Sequence, residues 1–154
     1  DDNKINRSVV RRLLSDRGMH VDECERGHDA INIISSVKEG TYDAVFMDII
    51  MPEMTGYEAT TEIRNLDSAF AKTIPIFAMT ANAFEEDIKK ANECGMNGHI
   101  TKPFEIEDLI RFLYHLYFFL TILALHLLIA YQLQPSHISL SISSLMFSSI
   151  YSVI

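Results

Sequence analysis

Three side chains with useful chemistry each follow a short apolar run. Asp48 follows Ala44–Met47, Thr80 follows Ile74–Met79, and Lys102 comes just after His99-Ile100. A pair of carboxylates, Asp1 and Asp2, stands immediately before the first helical segment. If these groups meet, two carboxylates about 4 Å apart repel by roughly 4 kcal/mol at an intermediate effective dielectric. A hard divalent cation with oxygen ligands relieves that repulsion, and Mg²⁺ suits a site with few protein ligands and additional phosphate oxygens. A hydroxyl and an ammonium opposite the cation can hold an anion. An aspartate nucleophile, a metal, a Thr and a Lys together make a phosphoryl-transfer site. Taken singly, each residue has a plainer reading: a turn or cap for Asp48, a strand end for Thr80, an exposed turn for Lys102-Pro103, and a helix-dipole partner for Asp1-Asp2. Their joint occurrence, in order, at successive strand ends favours the chemical reading.

The elements that must position them alternate. Asn3 to Arg17 carries Ile5, Val9, Val10, Leu13 and Leu14 on one helical face, and Gly18 stops it. Met19–Cys24 is a strand candidate, Ala30–Val37 a helix ended by Gly40, and Ala44–Met47 a strand buried on both faces. A Pro/Gly loop leads to a helix over Tyr57–Arg64. Strand Ile74–Met79, helix Ala83–Cys94 with its stop at Gly95, strand His99-Ile100 and a helix from Glu105 complete the series. Strands alternating with helices predict an α/β fold with a doubly wound parallel sheet. In such sheets the ligand site lies beyond the carboxyl ends of the strands, where Asp48, Thr80 and Lys102 fall.

The 154 residues suit a domain of ordinary size, and a hydrophobic fraction of 48% is enough for a core. A net charge of -8 argues against a broad attraction to nucleic acid. Cys24 and Cys94 follow no metal spacing and read as free thiols in a reducing compartment. No signal peptide is expected from the opening residues.

With these residues in place, the sequence resembles the receiver domain of two-component signalling. The matching pieces are Asp1-Asp2-Asn3, Met47-Asp48-Ile49-Ile50-Met51-Pro52-Glu53-Met54-Thr55-Gly56, Ala78-Met79-Thr80-Ala81 and Lys102-Pro103-Phe104, spread over residues 1 to 112. The stretches Met79–Phe84 and Gly95–His99 are most similar to receivers at the end of hybrid sensor histidine kinases. The resemblance implies a flavodoxin-like fold and a role for each residue. Asp48 would attack a phosphohistidine of a histidine kinase or histidine phosphotransfer domain. Asp2, Asp48 and the Ile50 backbone carbonyl would bind Mg²⁺, with Asp1 acting mainly through water. Lys102 would pair with Asp48 and then with the phosphoryl oxygens, and a cis Lys102-Pro103 peptide would aim it inward. Thr80 would move toward the phosphoryl group. His99 falls at the switch position usually held by an aromatic residue. Ile50 stands where the family often has a polar residue, which would alter the lifetime of the phosphoryl group.

Two departures from that pattern set further expectations. The family has a buried strand directly before the Asp pair, central in its order 2-1-3-4-5, and this sequence begins at the pair. A receiver part over 1–112, truncated at its front and lacking that strand, is therefore expected, and with it a longer parent such as a hybrid histidine kinase. Every Asp, Glu, Lys and Arg lies at or before Arg111, leaving 43 residues without formal charge. The apolar tail, 113–154, is read in three ways. The preferred one joins unrelated sequence to the last family helix. The second makes Phe112–Leu133, 22 residues long, a helical membrane anchor, with Arg111 keeping the receiver in the cytoplasm. In the third, a segment such as Ser148–Ile154 inserts as the central strand, with Ile150–Ile154 paired to the strand containing Phe46.

Competing functions are a degenerate receiver that serves only for interaction or tethering, and an aspartyl-nucleophile phosphatase. The phosphatase would need an Asp where Ile50 stands. A tail without Lys or Arg argues against a DNA-binding output domain. The chain is not expected to be a stand-alone enzyme.

Overall fold

The computed structural model describes residues 1–81, 84–103, 107, 109–111, 114, 125, 152 and 153, the last two by their backbone alone. Helix α1, Lys4–Ser15, starts where the Asn3 side chain accepts the N–H groups of Ile5 and Asn6. It stops at Gly18, whose φ of 80° lies in the left-handed region that glycine tolerates. Its buried stripe is narrower than the sequence predicts. Val10 and Leu14 are buried, whereas Ile5 and Val9 are 74% and 46% exposed.

Strand β1 is only His20–Val21, shorter than the expected Met19–Cys24. Its polar continuation makes side-chain bonds instead: Asp22 accepts the Tyr42 hydroxyl and Glu23 faces Arg7 and Arg11. Helix α2, Gly27–Ser36, and strand β2, Val45–Asp48, follow. Helix α3, Gly56–Asn65, opens with a capping box in which Thr55 and Glu58 satisfy each other's backbone N–H. A short helix that the sequence reading did not foresee, α4 (Ala69–Thr73), is capped by Ser68. Strand β3, Ile76–Thr80, helix α5, Glu85–Glu93, and strand β4, Gly98–Thr101, close the series. The expected helix from Glu105 lies largely outside the described residues, though residues 107, 109–111 and 114 are helical.

Strands β2, β3 and β4 form a parallel sheet in that order, with Asp48 opposite Met79 and Thr80 opposite Thr101. The whole of β2 and β3 is buried. On one face Val45, Met47, Ile76 and Ala78 pack with Ile34 of α2 and with Ala59 and Ile63 of α3. Each buried aliphatic side chain of this size contributes about 2 kcal/mol. On the other face Phe46 and Phe77, partners in the register, bring their rings to 5.9 Å.

Behind the amino ends of β3 and β4, Arg64 donates to the carbonyls of Ala71 and Gly95 and to Asn97 Oδ1. That same oxygen accepts the Ile76 N–H. Burial pulls the Arg64 guanidinium below its ordinary pKa.

A fifth strand, β5 (Ser152–Val153), runs parallel to β1, with His20 opposite Ser152 and Val21 opposite Val153. The sequence-based expectation placed this segment against the strand containing Phe46. Among the described residues β2 pairs with β3 alone, and the partner of β5 is β1. The chain divides into two compact units, Asp1–Pro103 with Ile150–Ile154, and Phe104–Ser149, the latter almost wholly outside the described residues. The proposed membrane segment lies there. Among the described residues no helix is long and apolar enough to cross a membrane.

Tyr42 joins the core while its hydroxyl donates to Asp22 at 2.7 Å. Burial, and then this bond to a carboxylate, push its pKa up to about 12. A raised folded-state pKa means that this stabilisation is complete below the ordinary tyrosine value of 10 and is lost as pH rises toward 12. Denaturant titrations between pH 9 and 12 should show stability falling across that window in the parent and a shallower fall in Tyr42→Phe. Parallel curves would refute the assignment.

Candidate functional site

Strand β2 delivers Asp48 to the carboxyl end of the sheet, and the chain turns at once. Asp48 Oδ1 accepts the Ile50 N–H at 3.3 Å, while Gly56 N–H returns to the Ile49 carbonyl. Gly56 must be glycine here, because a Cβ would stand 2.2 Å from the Asp48 carbonyl oxygen. Strand β4 ends beside Thr80: the Lys102 N–H donates to the Thr80 carbonyl at 2.6 Å. The next peptide, Lys102-Pro103, is cis, as the sequence reading expects.

From that corner the Lys102 ammonium donates to Asp48 Oδ2 at 2.7 Å and to Asp1 Oδ2 at 2.8 Å. Asp48 and Asp1 keep only 8% and 2% of their side-chain surface exposed, so solvent screens these bonds little. Asp2 is exposed, and one carboxylate oxygen each of Asp1, Asp2 and Asp48 lies within 4.8 Å of the others. Three carboxylates converge beside the Lys102 ammonium, and their ligand atoms are all hard oxygens. This is the charge and chemistry that a divalent cation such as Mg²⁺ fits.

The acidic pair is braced by residues that the sequence reading missed. Asp1 Oδ1 accepts the Asn3 N–H and Asp1 Oδ2 accepts the Asn6 amide. Arg7 donates to the backbone carbonyls of both Asp1 and Asp2, at 2.7 and 3.0 Å, and to Glu25 at 2.6 Å. Arg7 reaches these carbonyls because a side chain one turn into a helix leans back over its N-terminus.

Thr80 is buried at the end of β3. His99 is half-buried on β4 opposite Ala78. Together with Ile49, Tyr57 and Asp87 they line a cavity of about 10 Å³. Burial, with Asp87 nearby, raises the Tyr57 pKa. The Ile50 side chain is 72% exposed. The structure therefore gathers Asp1, Asp2, Asp48 and Lys102 at one point. Thr80 is tied to Lys102 through the backbone, His99 lies behind Thr80, and only the side chain of Ile50 turns away.

The class of protein is defined by a parallel α/β sheet with a carboxylate cluster and a lysine at its carboxyl edge. Residues 1–114 match the response regulator receiver domain, and the chain belongs to that family. Hybrid signal transduction histidine kinase L of Dictyostelium discoideum is 37% identical over 115 residues, which cover 72% of this chain and 7% of that protein. Histidine kinase 3 of Arabidopsis thaliana is 36% identical over 129 residues, covering 72% of this chain and 12% of that one. The chain thus spans a small part of the curated relatives it matches.

Among solved structures, the receiver domain of a sensor histidine kinase from Pseudomonas aeruginosa, with a magnesium ion in its active-site cleft, superposes with a TM-score of 0.66 at 34% identity. The match covers 75% of this chain and 90% of that one. A chemotaxis response regulator of Vibrio cholerae gives 0.68 at 28% identity, with coverage of 75% and 92%. The fold is the flavodoxin-like receiver fold, and the chain carries a receiver domain of two-component signalling whose relatives include hybrid histidine kinases.

Proposed function

We propose that this receiver accepts a phosphoryl group on Asp48 from the phosphohistidine of a histidine kinase or histidine phosphotransfer domain. The observation that carries the reading is the Lys102 ammonium held between Asp48 and Asp1 with Asp2 beside them. Asp48 is the carboxylate with a lysine at one oxygen and a backbone N–H at the other, placed where a strand ends. A carboxylate oxygen attacks phosphorus, the P–N bond breaks, and the imidazole departs with the electron pair and takes a proton from water. Asp2, Asp48 and the Ile50 carbonyl would hold Mg²⁺, with Asp1 acting through water. Bound there, the ion would offset charge on the phosphoryl oxygens. Lys102 exchanges a carboxylate partner for a phosphoryl oxygen, and the Thr80 hydroxyl donates to another. Phosphorylation adds about two negative charges at a buried point, enough to bias Thr80 and His99 between two arrangements.

Incubating the chain with acetyl phosphate and Mg²⁺, and reading intact mass, tests this. One phosphoryl group per chain is expected, and chelation with EDTA should slow its incorporation by at least about 100-fold. Incorporation at the same rate in EDTA would overturn the metal-assisted reading.

A further inference from the structure

The described strands fall into two sheets, and residues of both line one cavity. In the parallel pairing of β2 with β3, Val45 N–H donates to the Pro75 carbonyl and Ile49 N–H to that of Met79. The odd-numbered residues of β2 therefore spend their backbone on β3, and Phe46 and Asp48 direct theirs to the opposite edge. That edge is not open to water: Val45, Phe46 and Met47 are all less than 8% exposed. Val21 of β1 and Val45, Phe46 and Met47 of β2 line one cavity of about 50 Å³. Strand β5 is hydrogen-bonded to β1 in parallel, like every other pair among the described strands.

We propose that β5 is a central strand, seated between β1 and β2, so that the two sheets are one with the order β1-β5-β2-β3-β4. A buried β2 edge calls for backbone partners. The segment around β5, Ile150-Tyr151-Ser152-Val153-Ile154, is uncharged and rich in β-branched residues, as a strand covered on both faces requires. Parallel pairing on both edges also matches the direction that β5 has beside β1. Strand β5 is then an integral part of the receiver sheet and not an appendage. This holds whether or not Asp48 accepts a phosphoryl group.

Amide hydrogen exchange and backbone NOEs on the full chain test it. NOEs between the backbones of Val153 and the Phe46 strand are expected in the parent, with slow exchange at the Phe46 and Asp48 amides. Ser152→Pro with Val153→Pro removes one donor from each edge of β5. Exchange at Phe46 and Asp48 should then accelerate on the order of 100-fold, while the Ile76 amide, bonded to Asn97, keeps its protection. If the variant unfolds, Ile76 loses protection too and the parent NOEs alone decide. Absence of those NOEs, or unchanged exchange in a folded variant, overturns the proposal.

Discussion

Asp48→Asn should lose phosphoryl incorporation from acetyl phosphate by at least about 1,000-fold, because the substitution removes the nucleophile while keeping its shape. Asn can still accept the Ile50 N–H through its oxygen, and Lys102 retains Asp1 as an anionic partner. The fold should survive, since the buried amide replaces a carboxylate that repelled two others. Intact mass and denaturant midpoint measured together separate the two effects. Equal incorporation in parent and variant would end the case for Asp48, and a collapsed midpoint would show that the carboxylate has a structural role as well.

The second large effect is on stability. Gly56→Val places a branched side chain where even a Cβ would meet the Asp48 carbonyl oxygen at 2.2 Å, its carbon at 3.0 Å and Met47 Cγ at 3.0 Å. Two of those three atoms are backbone, so no rotamer change relieves the contact. Either α3 backs away from β2, breaking the Gly56–Ile49 hydrogen bond, or the Asp48 peptide tilts. Overpacking of this kind costs about 3 kcal/mol, which for a domain of roughly 100 residues lowers Tm by about 15 °C. Thermal unfolding followed by circular dichroism gives the answer, and a Tm within about 2 °C of the parent would contradict the packing described.

Much of the site was legible because its residues carry local marks. Asp48 and Thr80 each close a run of buried apolar residues, and Lys102 precedes a proline. Arg7 was not legible, because its partners are backbone carbonyls and a distant glutamate, which no spacing announces. The segment Ala69–Thr73 is too short for helical periodicity, and its one cap, Ser68, looks like any loop serine. Strand β1 came out shorter than expected because Asp22 and Glu23 find side-chain partners instead of a ladder. The uncharged tail was least readable. With no charged residue to mark an exposed face, little in its pattern distinguishes a strand edge from a helix face, and the pairing with β1 depends on a partner more than 100 residues away.

Arg64 gives the domain a fixed end and a working end. Its guanidinium, with Asn97, fastens the starts of β3 and β4 to α3 and α4 through four hydrogen bonds. Thr80 closes β3, His99 lies on β4 and Lys102 follows directly after its end. Thr80 and Lys102 are therefore carried by strands whose opposite ends Arg64 and Asn97 hold in place.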